Sequence, residues 1–387
     1  MCFSVIFIDK LKVVEFLFCY FSYTNNVVLH AKKTLMTEYK LATYQEVTKS
    51  LHDKKRQKHL LMGNGFSMSY DSEIFSYNKL AEFLENLENP ILKKLFEIIK
   101  TSNFELLMEQ LDNVAKISEV FGADKKVVDK IHEATSTLKQ SLIDAIKELH
   151  PEHVFAIPEE KSQACASFLN SFLAEDGEIF TTNYDLLLYW VLMRNDLDKK
   201  GDGFGREAEE TDEWIPEEDI QWSELRWGKH RDSQSIYYIH GALHLFDAGI
   251  DIIKEEYTNE HVLLENVKAR MKRKEYPIFV TAGNGAEKLS HIRHNRYLSH
   301  CYDILSSLSG SLVCFGFGFG QYDEHIIAAI NKATKKRIDE NGKWHMLNSI
   351  YIGVYSESDI KHIQSIESKF KCKVNLFDAK TVNVWGK

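Results

Sequence analysis

Apolar and polar positions fall along this chain in blocks that predict strands separated by helices. Residues 58–67 (KHLLMGNGFS) open with a short apolar run that reads as a strand and close in a glycine-rich turn. From Lys79 to about Leu149 the apolar period lengthens to that of a helix. Leu80, Phe83, Leu84 and Leu87 share one face, Phe104, Leu107, Met108 and Leu111 another, and a third helix covers roughly residues 126–149. Such stripes have the spacing of core-packing faces. Residues 163–175 form a further helix, Glu178 to Thr181 a strand, and Leu186 to Leu192 an apolar helix. Strands follow at Ser235–His240, Pro277–Thr281, Ser311–Phe315, Ser349–Val354 and Val374–Phe377, with a helix over Ile326–Ile330.

This alternation predicts an α/β fold: a mostly parallel sheet with helices on both faces. The helical block at about 80–150 is too long for one crossover and reads as an inserted helical subdomain. The polar stretch 195–232 carries Glu207, Glu209, Glu210, Asp212 and Glu213, with Trp214, Trp222 and Trp227 interspersed. It predicts a hairpin-containing insertion in place of a free linker. Met1 to Tyr23 is apolar but broken by Asp9, Lys10, Lys12 and Glu15, so no membrane span is expected there. It also lacks the basic start and small-residue cleavage site of a signal peptide. Met36 opens MTEYKLATYQEV, so residues 1–35 are expected to be an upstream extension to a domain at 36–387.

Composition narrows the classes. With 387 residues, 44% of them hydrophobic, the chain can bury a large core, and 12% aromatic residues with five prolines exclude a disordered scaffold. A formal charge of −9 removes any global pull toward nucleic acid. The densest basic stretch, Lys268 to Lys274 (KARMKRK), reads as a solvated helix face. Six cysteines, at 2, 19, 165, 301, 314 and 372, form no CxxC pair, so neither a metal ribbon nor a redox pair is indicated. Sparse unpaired cysteines fit a reducing, cytoplasmic setting, with Cys301 and Cys314 as small buried hydrophobes.

Four strand ends carry chemistry. The first is Gly63-Asn64-Gly65-Phe66-Ser67, where glycines let backbone approach a pyrophosphate, although Met68 stands where a third fingerprint glycine would be. The second is Thr181-Thr182-Asn183-Tyr184-Asp185; Thr182, Asn183 or Asp185 could instead cap the helix that follows. The third is His240-Gly241, with His244 as local rival. The fourth is Gly316-Phe317-Gly318-Phe319-Gly320, with Asp323 and His325 beyond, where glycines admit a ligand and rings cover its flat face, or Asp323 simply caps a helix. Thr281-Ala282-Gly283-Asn284-Gly285 is a lesser candidate. In a parallel sheet all these ends share one crevice.

At these motifs the chain resembles the sirtuin-like family of bacterial proteins, in particular an NAD-cleaving branch associated with phage defence. GNGFS at 63–67, TTNYD at 181–185, HG at 240–241 and GFGFGQYDEHI at 316–326 occur in that family's order and span most of the chain after Met36. LLMGNGFSMSYD with a later NFELLMEQL also resembles an uncharacterised bacterial group of the same superfamily. The resemblance implies a Rossmann-type parallel sheet with a helical insertion, and Asn183 and His240 acting at the nicotinamide ribose. It implies NAD contacts at Gly63, Asn64, Gly65, Phe66 and Ser67 on the pyrophosphate side. Thr181, Thr182 and Asp185 would lie beside the catalytic pair, and Gly316, Gly318 and Asp323 near the adenosine half.

Two departures from protein-deacylating sirtuins favour hydrolysis of NAD itself: the missing CxxC pairs and the helical block. The expectation is therefore a gated NAD glycohydrolase with no metal and no membrane anchor. A non-catalytic module sensing NAD or ADP-ribose and an NAD-dependent protein deacylase are the alternatives. The resemblance further implies a homo-oligomer, in some members with a separately encoded ring ATPase; no GxxxxGK[ST] occurs here, so an ATPase would be another chain.

Overall fold

The computed structural model describes residues 41–72, 90–99, 104–149, 154–208, 216, 222–257, 263–273, 275, 277–280, 284–338 and 340–386. Several sequence expectations lie outside them: the extension at 1–35, the stripe Leu80, Phe83, Leu84 and Leu87, the acids Glu209, Glu210, Asp212 and Glu213 with Trp214, and Thr281 to Gly283.

Seven strands build the central sheet: β1 (Ala42–Thr43), β2 (Lys58–Met62), β3 (Ile179–Thr181), β6 (Ile236–Tyr238), β10 (Gly310–Phe315), β13 (Leu347–Val354) and β14 (Lys373–Asp378). Their order is β1-β14-β13-β10-β2-β3-β6. The five neighbouring pairs from β14 to β6 are all parallel. The inner strands are continuous apolar runs, with Leu60, Leu61, Met62, Ile179, Phe180, Leu312, Val313 and Cys314 fully shielded. That pattern belongs to strands covered on both faces. From β2 the chain winds outward through β3 and β6, then returns to build β10, β13 and β14 on the other side. This is the order of a Rossmann-type doubly wound sheet, with its topological switch between β2 and β10.

Helices flank the sheet. Helix α1 (Tyr44–Asp53) begins in a capping box in which Thr43 Oγ1 accepts from the Glu46 amide and the Glu46 carboxylate accepts from the Thr43 amide at 2.7 Å. The short α2 (Asn64–Tyr70) follows the first glycine turn. Helices α3 (Pro90–Ile99), α4 (Phe104–Val120) and α5 (Lys125–Leu149) form the expected helical block around Leu92, Phe96, Leu107, Met108, Leu111 and Leu138. Helix α6 (Glu159–Leu173) packs on β2 and β3, and Phe168 and Phe172 meet edge to face at 5.6 Å. Next come α7 (Leu187–Arg194), α8 (Leu263–Lys272), α9 (Gly285–His294), α10 (Arg296–Leu305), α11 (Glu324–Ala333) and α12 (Glu357–Ile366). Among the described residues no helix is long and apolar enough to cross a membrane.

A second, antiparallel sheet has the order β4-β5-β8-β7-β9: β4 (Phe204–Gly205), β5 (Leu225–Trp227), β7 (Gly241–Asp247), β8 (Ile252–Lys254) and β9 (Pro277–Phe279). A small hairpin of β11 (Arg337–Ile338) and β12 (Trp344–His345) stands apart. The expected hairpin in 195–232 is the β4–β5 pair. The apolar run at 277–281 is expected in the parallel sheet, but its strand β9 joins β7 antiparallel in the second sheet instead. A three-residue apolar strand carries no information about which sheet receives it. Nor is the KARMKRK stretch wholly a solvated face. Arg270 is buried and binds Glu255, Glu224 at 2.5 Å and Glu275 at 2.8 Å, so one of its cations anchors α8 to the second sheet.

Candidate active site at the parallel strand ends

Four neighbouring strands, β10, β2, β3 and β6, stop at one level. Phe315, Met62, Thr181 and Tyr238 stand side by side in successive register. The residues just beyond them are Gly316, Gly63, Thr182 to Asp185, and His240. Thr182 N–H reaches back to the Met62 carbonyl at 3.1 Å, and Ile239 N–H to the Thr181 carbonyl at 2.9 Å, so these loops leave the sheet in step.

At the switch point two glycine turns touch. Gly63 N–H donates to Phe315 O at 3.2 Å, Gly65 N–H to Gly316 O at 2.9 Å and Phe66 N–H to Gly63 O at 2.9 Å. A Cβ on Gly65 would lie 2.5 Å from Gly316 Cα, and Gly316 itself has φ +65°, the left-handed region. These glycines are required by backbone against backbone. Gly318 differs: it is exposed, with open space around it. The sequence pattern predicts that Phe317 and Phe319 cover a flat ligand, but both are buried and meet edge to face at 4.7 Å. Phe66 likewise packs inward, 5.0 Å from Trp385, whose indole N–H donates to the Phe66 carbonyl. Asn64 stands exposed at the first position of α2.

The second cluster links that turn to β3. Ser67 Oγ donates to Asp185 Oδ2 at 2.5 Å and accepts from Asn183 Nδ2 at 2.8 Å. A serine has one proton to give, and a carboxylate takes it; the Asn183 group facing Ser67 is therefore its NH2. Asn183 N–H is held by Thr181 Oγ1 at 3.1 Å. Asp185 Oδ1 accepts from Leu187 N–H at 3.0 Å, so of the three residues open to capping, Asp185 serves the first turn of α7. The Asn183 carbonyl oxygen lies outside this chain of bonds.

The third cluster is centred on His240, in the turn between β6 and β7. Gly241 makes that turn with φ +83°; a Cβ there would sit 1.9 Å from the Ile278 carbonyl. His240 is buried, and its Nε2 lies 2.8 Å from Nε2 of His325 at the start of α11. The two ring centroids lie 5.0 Å apart with their planes 26° from parallel, so the rings meet nitrogen to nitrogen at their edges, and the Tyr184 ring lies 6.4 Å from that of His240. Burial holds the His240 pKa far below the usual imidazole value, with His325 and the Lys288 ammonium adding to it. His325 is pushed down to about 3, again by burial and then Lys288. Lys288, 1% exposed, reaches from α9 to within 3.9 Å of Asp323 Oδ1. Asp323 Oδ2 accepts from Gly320 N–H at 3.0 Å, so its side chain ties down the glycine turn and makes no capping bond to α11. Burial raises the Asp323 pKa while Lys288 pulls it back. The rival His244 is fully buried in β7, its ring tilted against that of Tyr189 with centroids 4.6 Å apart.

Asn183 and His240 therefore stand on adjacent strand ends, each two residues past the paired Thr181 and Tyr238. Their side chains bond in different directions, toward Ser67 and toward His325. Residues 60–385 match a protein family described as Domain of unknown function (DUF4917). The chain belongs to that family. No curated protein matches it. The DUF4917 region takes in every strand end named above. Among the described residues no group of three His, Cys, Asp or Glu side chains is placed to hold a metal ion.

Sequence reasoning missed Lys288. A usable signal was present: Asn284 and Glu287 form a capping box, which puts Lys288 in the first turn of a helix leaving a strand end. His325 stands out beside the fourth motif, but nothing in the spacing links it to His240, 85 positions away.

Proposed function

We propose that the chain binds NAD along the C-terminal edge of its parallel sheet and hydrolyses it to ADP-ribose and nicotinamide. One observation carries this reading: neighbouring parallel strands end, at the same level, in the amide Asn183 and the imidazole His240, beside the switch point where a Rossmann-type sheet takes its dinucleotide. In the reaction the C1′–N bond breaks with its electron pair going to the cationic ring, and neutral nicotinamide departs. Water attacks the oxocarbenium-like carbon and gives up a proton. Asn183, fixed by Ser67 and Thr181, offers its carbonyl oxygen to the ribose hydroxyls or to that water. His240 is neutral and so has a ring nitrogen open to the proton, while burial and the Lys288 charge hold its basicity low in this closed state. A positioned base contributes about 10²–10⁴-fold when its pKa lies near the working pH, which opening of the site to solvent would restore. Chromatography of NAD incubated with the pure protein tests this, with nicotinamide and ADP-ribose as expected products.

A second reading, a module that senses NAD or ADP-ribose without turnover, is favoured by one specific feature. His240 is buried and its Nε2 is engaged by His325, so no free base is presented to a bound ribose. Calorimetric NAD binding without nicotinamide release would select it. In the hydrolase reading, the same closure is the resting state of a gated effector, with oligomerisation or an ATPase partner as the opening event.

A further inference from the structure

We infer that Lys288, Asp323 and His325 are positioning residues that present His240 to the crevice as a neutral imidazole of defined tautomer. This rests on the proposed role of His240 as base. The two Nε2 atoms lie 2.8 Å apart. Two neutral rings joined in this way share one proton between those atoms, so their tautomers are locked opposite. Whichever ring is Nε2–H, the other carries its proton on Nδ1. When His240 is the donor, its Nδ1 is the basic nitrogen.

What keeps both rings neutral is the company they keep. His240 is faced by His325 on α11, by the charge of Lys288 on α9 and by the Tyr184 ring from the loop after β3, and Asp323 in the turn before α11 stands beside Lys288. His325 has Tyr302 of α10 donating to its carbonyl at 3.1 Å. Lys288 is the cation of this group, buried and held near Asp323, and its charge opposes protonation of either ring. Gly285 allows the arrangement: α9 approaches α11 so closely that a Cβ there would sit 3.0 Å from Glu324 Cβ.

The test is imidazole NMR on nucleotide-free protein labelled with ¹⁵N-histidine, assigned through His240→Gln and His325→Gln. In the wild type the two rings are expected in opposite tautomers and neutral at about pH 5. Lys288→Met is expected to raise the titration of at least one ring by about one pH unit or more, while Lys288→Arg keeps the wild-type curve. The double variant Lys288→Met/Asp323→Asn removes both charges together. It leaves no uncompensated buried carboxylate and is expected to show the same upward shift. Identical tautomers in the wild type, or wild-type titration in both Met variants, would overturn the inference. Turnover is read separately. Absent NAD cleavage with the expected titrations would sink the base and spare the pair; unchanged titrations with active enzyme would do the reverse.

Discussion

Replacing Gly316 by alanine puts a methyl group into the contact between the two glycine turns. The new Cβ would lie 2.6 Å from Gly65 Cα and C and from Phe66 N, all backbone atoms, and the residue would have to keep φ +65°. Left-handed backbone costs a non-glycine residue about 1–2 kcal/mol. Overpacking a filled site costs about 1–3 kcal/mol more. The expected destabilisation is therefore about 2–5 kcal/mol. With a urea m-value of about 3 kcal/mol/M, this lowers the unfolding midpoint by roughly 1 M. Gly318→Ala, two residues away, is the internal control: nothing lies within 4 Å of where its Cβ would be and its φ is not left-handed, so a change within about 0.5 kcal/mol is expected. Urea unfolding of both variants decides the matter. Equal midpoints for the two would refute the claim that backbone docking at the switch point demands these glycines.

Three other outcomes follow from the same geometry. Ser67→Ala strands the Asn183 amide and one Asp185 oxygen; a loss of about 1–3 kcal/mol by urea unfolding is expected, together with reduced NAD turnover. Arg270→Met leaves Glu255 largely buried without its cation and should cost about 3 kcal/mol or more, with turnover per folded molecule unchanged. His59 accepts the Glu178 amide on Nδ1 and donates from Nε2 to Ser309 O, and burial lowers its pKa to about 4. The unfolded chain binds that proton near pH 6.5, so stability is lost as pH falls from there to about 4, by about 3 kcal/mol for this group. Glu178, raised to about 7 by burial, works the other way, so the wild-type curve alone is mixed. Between about pH 4.5 and 6.5 the slope of unfolding free energy against pH should be lower by about one proton in His59→Gln, with the Glu178 contribution left unopposed, and identical slopes would refute the assignment.

The parallel sheet was legible because its strands are short, apolar on both faces and separated by helices, as Lys58–Met62 and Gly310–Phe315 illustrate. The rule that crevices form at strand ends then located Gly63, Asn183, His240 and Gly316 on one edge. The second sheet was not legible. Its strands β4, β5, β8 and β9 are two or three residues long, too short for any period to declare itself. The roles of Phe66, Phe317 and Phe319 were hidden for a related reason: alternation between glycine and phenylalanine looks the same whether rings face a ligand or the core. The pairing of His240 with His325 and of Lys288 with Asp323 depends on helix packing between α9 and α11, which no local pattern encodes.

NAD hydrolysis by the Asn183–His240 strand ends is tested most directly by one measurement: nicotinamide released from NAD by the wild type, Asn183→Ala and His240→Ala, each verified as folded. Release by the wild type with a loss of about 100-fold or more in both variants is the predicted result. Release at the wild-type rate by both variants would contradict it.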